Sequence, residues 1–598
     1  MSTPRLQRWL ERRWAPAVIV LLAVVLAAPA LGGDFTADDH LHRLLARSEP
    51  GLPGLRARPL DLFVFAGGDP ADTAALRDVG VFPWWTDLDV RLAFWRPLSS
   101  LTHAADAALW PDAPAPMLAH NLAWMALSSL LVWLLYRRFV PTRWIAVLAL
   151  ALYALDDARG PVVAWIANRN ALVALAAAVP VLLVHDRWRR DGWVTGRWLG
   201  PVLLLLALGA GESALAIGAY LVAHALWLDR AAWPARARAL APYLVVVVAW
   251  RVVYGLLGYG AAGSGIYLDP GSDPLGFAAV ALTRVPALLL GQLALPWSEL
   301  AAMYPLLGGG VVVVMAVVAL VVVGAIGLCC AGLLRRDPVS RFFATGMVLA
   351  VLPVAATFPA DRLLGFVGLG GAGLMAQLLA AALTDRPALA ARPGWRRVIV
   401  GAAAVLAVVH LVLAPLLLPV RARSIVTLGA VLDRADAGVP AGPEVAAQTV
   451  ILANPPLDAF AGYLPVMRAS RGQARPAHLY WLANATSEVT LTGVDPHTLR
   501  VAPAGGFLRL QADQMLRRAD RRFAVGERVA LSGLTMEIEA LTTDGRPATV
   551  LARFAAALDA PSLVWRRWDQ TTFVPFVPPA PGQAVTLPAA NLFEVMAR

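Results

Sequence analysis

Long apolar segments recur along this chain, and they constrain its fold more than any other feature of the sequence. A helix needs roughly 20 mainly apolar residues to cross the hydrocarbon core of a bilayer. Only 15% of the residues are charged, against about 25% in an ordinary soluble domain. The sequence therefore predicts a polytopic α-helical membrane protein. Eleven spans are predicted, at 15–31, 118–136, 144–156, 165–184, 198–211, 213–228, 240–258, 307–333, 342–358, 363–383 and 398–419.

Arginines alternate between many and few on successive loops between these spans. The chain has no lysine, so its 51 basic residues are all arginines, and its net charge is +11. Because cytoplasmic loops carry an excess of basic residues, we expect a cytoplasmic N-terminus in a bacterial inner membrane, and no nucleic-acid partner. The arginines on the expected cytoplasmic side are Arg5, Arg8, Arg12, Arg13, Arg137, Arg138, Arg143, Arg187, Arg189, Arg190, Arg230, Arg236, Arg238, Arg335, Arg336, Arg341, Arg386, Arg396 and Arg397.

Two apolar segments have ambiguous patterns. Residues 15–31 follow four arginines and end in AAPALGG, as a signal peptide would; because a polytopic chain follows, we expect an uncleaved first span. Residues 275–297 contain Arg284, Pro286, Gln292 and Pro296. Arginine-rich and arginine-poor loops alternate most regularly if this segment does not cross the membrane. It is therefore predicted to be a re-entrant or interfacial helix.

The composition changes after residue 420. Short runs typical of strands, such as QTVILAN and RVALSG, are bounded by turn residues, and TTDGRP is a hairpin-type turn. The sequence therefore predicts a transmembrane domain at 1–420 with a long first periplasmic loop at 32–117. A linker at 421–445 and a periplasmic β-sandwich-like domain at 446–598 are expected to follow.

Polar residues from distant parts of the chain converge on the expected outer ends of the spans. A charge in the bilayer costs at least about 2.5–3.5 kcal/mol on insertion scales, so such residues line a cavity or pair with one another. A water-accessible site and an ion-pair network that only locks helix packing both stay open. The set comprises Asp38, Asp39, Arg96, His103, Asp106, His120, Asn121, Asp156, Asp157, Asn168, Arg169, Glu212, Asp361 and Arg362.

The segment FWRPLSSLTHAADAALW, at 94–110, has apolar residues at helical spacing. It predicts a helix in the membrane interface, which either holds Arg96, His103 and Asp106 over a lipid headgroup or braces the second span. No tight spacing of His, Asp or Glu indicates a metal site. The two cysteines, Cys329 and Cys330, are adjacent in an apolar run and predict no disulfide framework.

The order of these motifs resembles that of the GT-C glycosyltransferases. An acidic pair after the first span is followed by PMLAHNLAWMALSSLLVWLLYRR, VVAWIANRNALVALA, LGAGESALA and FPADRLLGFVGLGGAGL, within residues 15–385. The pattern is most similar to bacterial relatives of the transmembrane O-mannosyltransferases that carry tetratricopeptide repeats in animals. Gly211 stands where relatives often have lysine, Asp361 replaces a glutamate, and a β-rich region replaces the repeats.

The resemblance implies an inverting transfer of a sugar from a polyprenyl-phosphate lipid to an extracytoplasmic acceptor, which is a protein, a lipid or an envelope glycan. It implies that Asp38 or Asp39 is the catalytic base and that arginines stabilise the leaving phosphate. The candidates for the phosphate are Arg169, Arg362 and Arg96, in that order. Some family members use a divalent ion, so Mg²⁺ or Mn²⁺ stays open. The residues expected to orient these groups or bind sugar are Glu212, Asp361, His103, Asp106, His120 and Asn168.

Two other functions stay open on the sequence alone. The same fold could serve as a non-catalytic membrane scaffold or envelope assembly factor, since a fold does not determine a function. A lipid or polysaccharide transporter is expected to show inverted repeats and helices broken at the midplane, and the sequence shows no repeat.

Overall fold

The computed structural model describes residues 5–48, 51–384, 389–390 and 392–597. Arg386, one of the arginines used to orient the spans, lies outside these ranges. The chain forms two compact units, each assembled from three stretches. The first unit comprises Met1–Asp34, Phe94–Leu257 and Pro270–Ile425, and the second comprises Phe35–Ala93, Gly258–Asp269 and Val426–Arg598. Most of the first loop therefore folds with the C-terminal region.

The first unit is built from apolar helices. In the described part of the chain, eight helices are long and apolar enough to cross a membrane. The polytopic helical architecture predicted from the sequence is confirmed. These helices are Ala15–Gly32, Pro114–Phe139, Ile166–Asp191, Trp233–Leu256, Pro274–Leu293, Gly309–Arg336, Gly365–Thr384 and Pro393–Ala437. The shorter apolar helices are Arg143–Ala154, Gly196–Ala210 and Pro338–Val354.

Short helices connect the long ones. The α-helical connections are Arg5–Leu10, Pro97–Leu109, Arg159–Ala164 and Ile217–Trp227. The 3₁₀ turns are Glu212–Ala216, Ser298–Ala302, Tyr304–Leu307 and Asp361–Leu363. Many of the polar residues singled out by the sequence lie on these short elements, so they are positioned at helix ends rather than in the middle of spans.

Two of the apolar helices show contrasting environments. In helix Gly365–Thr384, 89% of the most apolar 18-residue stretch is buried, whereas in helix Gly309–Arg336 only 6% of that stretch is buried. Val313, Leu320 and Val321 on the second helix are 60–64% exposed. Outward-facing valine and leucine are stable in lipid, where a helix satisfies its own backbone hydrogen bonds. The first unit thus has a buried helical core and an apolar outer surface suited to a bilayer.

The segment at 275–297 forms one continuous helix, Pro274–Leu293, which includes Arg284 and Pro286. Its length and hydropathy suit a membrane span, so the expectation of a re-entrant or interfacial helix is not supported. Arg284 is buried and donates through Nη1 to the carbonyl of Ala355, 3.1 Å away at the end of helix Pro338–Val354. A cation is stabilised at a helix C-terminus, and this contact explains how the helix accommodates a charge.

The described residues of the second unit form three β-sheets. Its strands are β1 (Val64–Gly67), β2 (Arg91–Ala93), β3 (Gly260–Ala262), β4 (Thr449–Leu452), β5 (His478–Trp481), β6 (Val489–Asp495), β7 (Thr498–Pro503), β8 (Arg528–Leu531), β9 (Leu534–Leu541), β10 (Pro547–Phe554), β11 (Leu563–Asp569), β12 (Thr572–Pro575) and β13 (Ala584–Leu587). The sheet orders are β1-β2-β3, β13-β6-β7-β10-β9-β8 and β12-β11-β4-β5. The C-terminal β-rich region is confirmed, and TTDGRP joins the antiparallel strands β9 and β10.

One feature of the second unit was not predicted from the sequence. Strands β4 and β5 are parallel and are connected through helix Ala459–Arg471, so they form a βαβ unit. Residues 421–445, expected as a linker, contain helix Ser424–Ala437, the last part of the long helical segment Pro393–Ala437. The other helices of this unit are Asp38–Leu45, Pro70–Asp78 and Leu592–Ala597.

Candidate active site

Arg169 is completely buried, and its guanidinium donates to protein groups on several sides. Its Nε donates to Oδ1 of Asn121 at 2.6 Å, and its two Nη atoms donate to the carbonyls of Thr102 at 3.2 Å and Met117 at 3.0 Å. It also forms an ion pair with Asp106. A guanidinium that already satisfies carbonyls and a carboxylate fixes the packing of the surrounding helices.

The same network continues through Asp106 to two side chains of helix Pro114–Phe139. Oδ1 of Asp106 lies 2.7 Å from Nδ1 of His120, and Nε1 of Trp124 donates to Nε2 of His120 at 2.9 Å. Because the indole can only donate, Nε2 of His120 accepts, and Nδ1 carries the proton that is donated to Asp106. His120 is therefore held as one neutral tautomer.

Helix Pro97–Leu109 turns its polar face inward. His103 and Asp106 are buried, whereas Leu101 and Leu109 are 55% and 65% exposed. The apolar stripe predicted from the sequence therefore lies on the outer surface of the first unit, as expected for a helix in contact with lipid. Asn168 is also buried, directly before helix Arg169–Asp191.

Arg96 and Glu212 form a second pair in the first unit. Nε of Arg96 donates to Oε2 of Glu212 at 2.8 Å, and the hydroxyl of Tyr254 donates to Oε1 at 3.0 Å. The Arg96 guanidinium also lies 4.8 Å from the ring centre of Phe94. The side chains of Arg96 and Glu212 are 19% and 22% exposed, so this pair remains accessible.

Asp361 belongs to a third cluster, in which several acids surround one arginine. Nη2 of Arg421 lies 3.2 Å from Oδ2 of Asp361 and 3.1 Å from Oε1 of Glu299, and its Nε lies 3.8 Å from Oδ2 of Asp157. The backbone N–H and the hydroxyl of Ser298 donate to Oδ1 of Asp361 at 2.9 and 2.6 Å. Three carboxylates therefore share one guanidinium.

Burial and a neighbouring acid together raise the pKa of two carboxyls in this third cluster. Burial, and then the neighbouring charge of Asp156, raise the pKa of Asp157 to about 6. Burial, and then the charge of Glu299, raise the pKa of Asp361 to about 7, against the opposing effect of Arg421. Asp157 and Asp361 therefore titrate near neutral pH rather than near their usual values.

Two arginines near this cluster differ from Arg96 and Arg169 in having no carboxylate partner among the described residues. The Arg362 guanidinium lies 5.0 Å from the ring centre of Trp165 and 5.6 Å from that of Phe358. Within the described ranges Arg362 makes no hydrogen bond or ion pair. Arg159 is buried, lies 3.4 Å from the hydroxyl of Tyr153, and has its guanidinium 5.0 Å from the centre of the same ring. Arg362 is half-buried, so its charge is available to an anion.

Asp38 and Asp39 belong to the second unit and begin helix Asp38–Leu45. Ala37, directly before them, has φ +52° and ψ −114°, a conformation that alanine rarely adopts. Asp39 is buried, and its Oδ2 accepts the backbone N–H of Thr36 at 3.0 Å. Asp38 is half-buried and accepts a hydrogen bond from the hydroxyl of Tyr463. The two adjacent acids therefore have different environments, and Asp38 is the more accessible of them.

The structure thus places the predicted polar residues in three clusters of the first unit and one of the second. Sequence reasoning missed Arg159, Tyr254, Glu299, Arg421 and Tyr463, which contact or accompany the predicted residues. An arginine directly after an apolar span was the available signal for Arg421, but nothing in the sequence indicates which tyrosine reaches Asp38. In the parts of the chain that the structure describes, no group of three or more His, Cys, Asp or Glu residues could hold a metal ion.

Comparison with protein-family models and with curated proteins finds no match for this sequence. Among solved structures, the chain is similar to the crystal structure of the Archaeoglobus fulgidus oligosaccharyltransferase tethered with an acceptor peptide containing the NVT sequon via a disulfide bond. The TM-score is 0.40 and the sequence identity 12%, over 79% of this chain and 64% of the archaeal one. The chain therefore spans less than two thirds of that protein, and a likeness of this size determines neither its substrate nor its mechanism.

Proposed function

We propose that this chain is a GT-C-type membrane glycosyltransferase that moves a sugar from a polyprenyl-phosphate lipid to an acceptor outside the cytoplasm. In this proposal the membrane is the bacterial inner membrane and the second unit lies in the periplasm. The observation that carries the proposal is the environment of Asp38. Its carboxylate is accessible, hydrogen-bonded by Tyr463 and preceded by the unfavourable backbone conformation of Ala37. Such backbone outliers cluster at functional sites, where the surrounding structure holds them.

Asp38 is the proposed catalytic base. Its carboxylate accepts the proton of the acceptor hydroxyl while the hydroxyl oxygen attacks the anomeric carbon of the donor. The bond between that carbon and the phosphate oxygen breaks, and the polyprenyl phosphate leaves with the electron pair. Attack opposite the leaving group inverts the anomeric configuration. Asp39 is proposed to hold the turn instead, because its carboxylate is buried and bonded to the Thr36 N–H.

Arg362 is the proposed cation for the leaving phosphate. It lacks a carboxylate partner among the described residues, and it lies against the faces of Trp165 and Phe358. A guanidinium binds phosphate with planar, often bidentate geometry. Arg96 is the second candidate, because its pair with Glu212 is partly exposed. The contacts of Arg169 favour a structural role, so the order of candidates differs from the one expected from the sequence.

The test is sugar transfer by the full-length protein in proteoliposomes, with radiolabelled polyprenyl-phosphate mannose and cell-envelope extract as acceptor. Asp38→Asn is expected to lower transfer by about 10²–10⁴-fold, the usual contribution of a general base. Arg362→Gln is expected to lower transfer and weaken retention of the donor. Matched controls are Glu444→Gln, an exposed acid of the second unit, and Arg335→Gln, at the end of helix Gly309–Arg336; both are expected to keep wild-type transfer.

Two outcomes would contradict this proposal. Normal transfer by Asp38→Asn would remove the base assignment. Absence of transfer by the wild-type protein with mannose, glucose and galactose donors, together with tight retention of the lipid, would favour a non-catalytic membrane scaffold.

A further inference from the structure

We infer that Tyr463 is a positioning residue for the carboxylate of Asp38, so that the C-terminal region takes part in the transfer reaction. This inference rests on the proposed function, in which Asp38 is the base. Tyr463 lies on helix Ala459–Arg471, the helix of the βαβ unit, and its hydroxyl donates to Oδ1 of Asp38. Residues more than 400 positions apart in sequence thus meet at the proposed base.

Several further contacts hold the helix of Asp38 against the helix of Tyr463. Nδ1 of His40 lies 3.1 Å from Oγ of Ser470, and Nη2 of Arg47 donates to the Ser470 carbonyl at 2.7 Å. Leu44 and Val466 belong to one buried apolar cluster. Several contacts between the two helices therefore hold Tyr463 beside Asp38. The phenol oxygen can be removed without removing those contacts.

The phenol is suited to act as a permanent donor. Burial, and then the charge of Asp38, hold the pKa of Tyr463 well above its ordinary value. Tyr463 therefore keeps its proton throughout the physiological range. A neutral donor on one carboxylate oxygen favours the charged form of the acid and holds the carboxylate in one orientation.

The titratable groups around Asp38 come from several elements. Asp39 and His40 share its helix, Tyr463 lies on the helix packed against it, and Tyr267 belongs to the stretch Gly258–Asp269. Burial, with the charges of Arg471 and Arg43, lowers the pKa of His40 to about 3. His40 is therefore neutral at physiological pH, and its protonation does not change in that pH range.

Tyr463→Phe in the full-length protein tests this inference, because it removes the hydroxyl and keeps the ring. A carboxylate that loses a hydrogen bond to its charged form is protonated more easily. The acidic limb of the kcat profile is therefore expected to move to higher pH by about one unit, with a loss of about tenfold at pH values on that limb and little loss on the plateau above it. The KM for polyprenyl-phosphate mannose is expected to stay unchanged, since Tyr463 contacts the base rather than the donor.

Tyr480→Phe is the matched control. Tyr480 lies in the same unit, and its hydroxyl donates to Oδ1 of another aspartate, Asp78, at 2.9 Å. This variant loses an equivalent tyrosine–aspartate hydrogen bond and is expected to keep the wild-type pH profile.

If Tyr463→Phe also kept that profile while Asp38→Asn abolished transfer, the inference would be wrong and the proposed function would stand. A uniform loss at every pH, with no displacement of the acidic limb, would show a purely structural role and would also overturn it. An inactive wild-type protein would overturn both.

Discussion

Arg169 and Asp106 form an ion pair in which the two side chains are 0% and 2% exposed. Arg169→Leu would leave a buried carboxylate without its cation, and we expect it to destabilise the protein by about 3–5 kcal/mol. The double variant Arg169→Leu, Asp106→Leu is expected to lose less, because no uncompensated charge remains buried. Thermal unfolding of the purified protein in a mild detergent measures both. An unchanged unfolding midpoint for Arg169→Leu, with transfer lost, would instead assign Arg169 to phosphate binding.

The helical part of the fold was predictable because the bilayer imposes one strong requirement on sequence. A span must be long and apolar, and this pattern identified helices such as Gly309–Arg336 and Gly365–Thr384. The prediction for 275–297 rested on the alternation of arginine-rich loops and on the prolines, the glutamine and the charge of Arg284 within the run, whereas the structure has one continuous helix there, Pro274–Leu293. In the structure that charge is bonded to the Ala355 carbonyl at a helix end. A tertiary contact of this kind leaves no trace in the local sequence.

The candidate site was predictable in its residue types but not in its partners. The high cost of burying charge correctly drew attention to Arg169 and Asp106, and the structure pairs them. Nothing in the sequence connects Asp38 with Tyr463, because their contact depends on the helix of the βαβ unit packing against a helix from a distant part of the chain. Parallel strands need a crossover helix, and a short helix among many strand-like runs was not recognised as one.

Arg421 is expected to hold its acidic cluster together in a pH-dependent way. Arg421→Gln removes the cation that Asp157, Glu299 and Asp361 share, and we expect a loss of about 3 kcal/mol at pH 8. The pKa values of Asp157 and Asp361 are raised to about 6 and about 7, so at pH 5 both carboxyls are mostly protonated and repel less. The loss at pH 5 is therefore expected to be smaller.

Thermal unfolding midpoints of the wild type and Arg421→Gln at pH 5 and pH 8 check this expectation. Arg471→Gln is the control, because Arg471 pairs with a half-exposed acid, Asp433, and such surface pairs contribute little. An equal loss for Arg421→Gln at both pH values would mean that charge repulsion among the acids does not decide the stability of this cluster.

The second unit contains a buried acid pair that makes its stability depend on pH. One amide nitrogen, Nδ2 of Asn484, donates to Oδ1 of Asp458 at 2.7 Å and to Oδ1 of Asp513 at 3.0 Å. Burial, and then the charge of Asp513, raise the pKa of Asp458 to about 8. An aspartate has a pKa near 3.9 in the unfolded chain. The stability from a protonated Asp458 is therefore fully present below about pH 4 and is lost as the pH rises to about 8.

Asp458→Asn is expected to remove most of this dependence, because the amide stays neutral and its oxygen can still accept from Asn484. Hydrogen exchange at the amides of β4 and β5 in the full-length protein, measured from pH 5 to pH 8 and corrected for the intrinsic exchange rate, reports the local stability. The wild type should become less protected as the pH rises, and the variant should change much less. A wild-type protection that is constant over this range would contradict a protonated Asp458.

Gly346 is expected to be indispensable for the contact between two helices of the first unit. A Cβ at this position would lie 2.3 Å from carbon atoms of the Tyr220 ring. The ring cannot easily retreat, because the Tyr220 hydroxyl donates to the Phe366 carbonyl at 2.6 Å and accepts the Gly370 N–H at 2.8 Å. Gly346→Val should therefore destabilise the protein by at least about 1–3 kcal/mol, the usual cost of overpacking. Gly324→Val is the control, since a Cβ at Gly324 would meet nothing within 4 Å. Equal unfolding midpoints for the two variants in detergent would show that the helices separate without cost at Gly346.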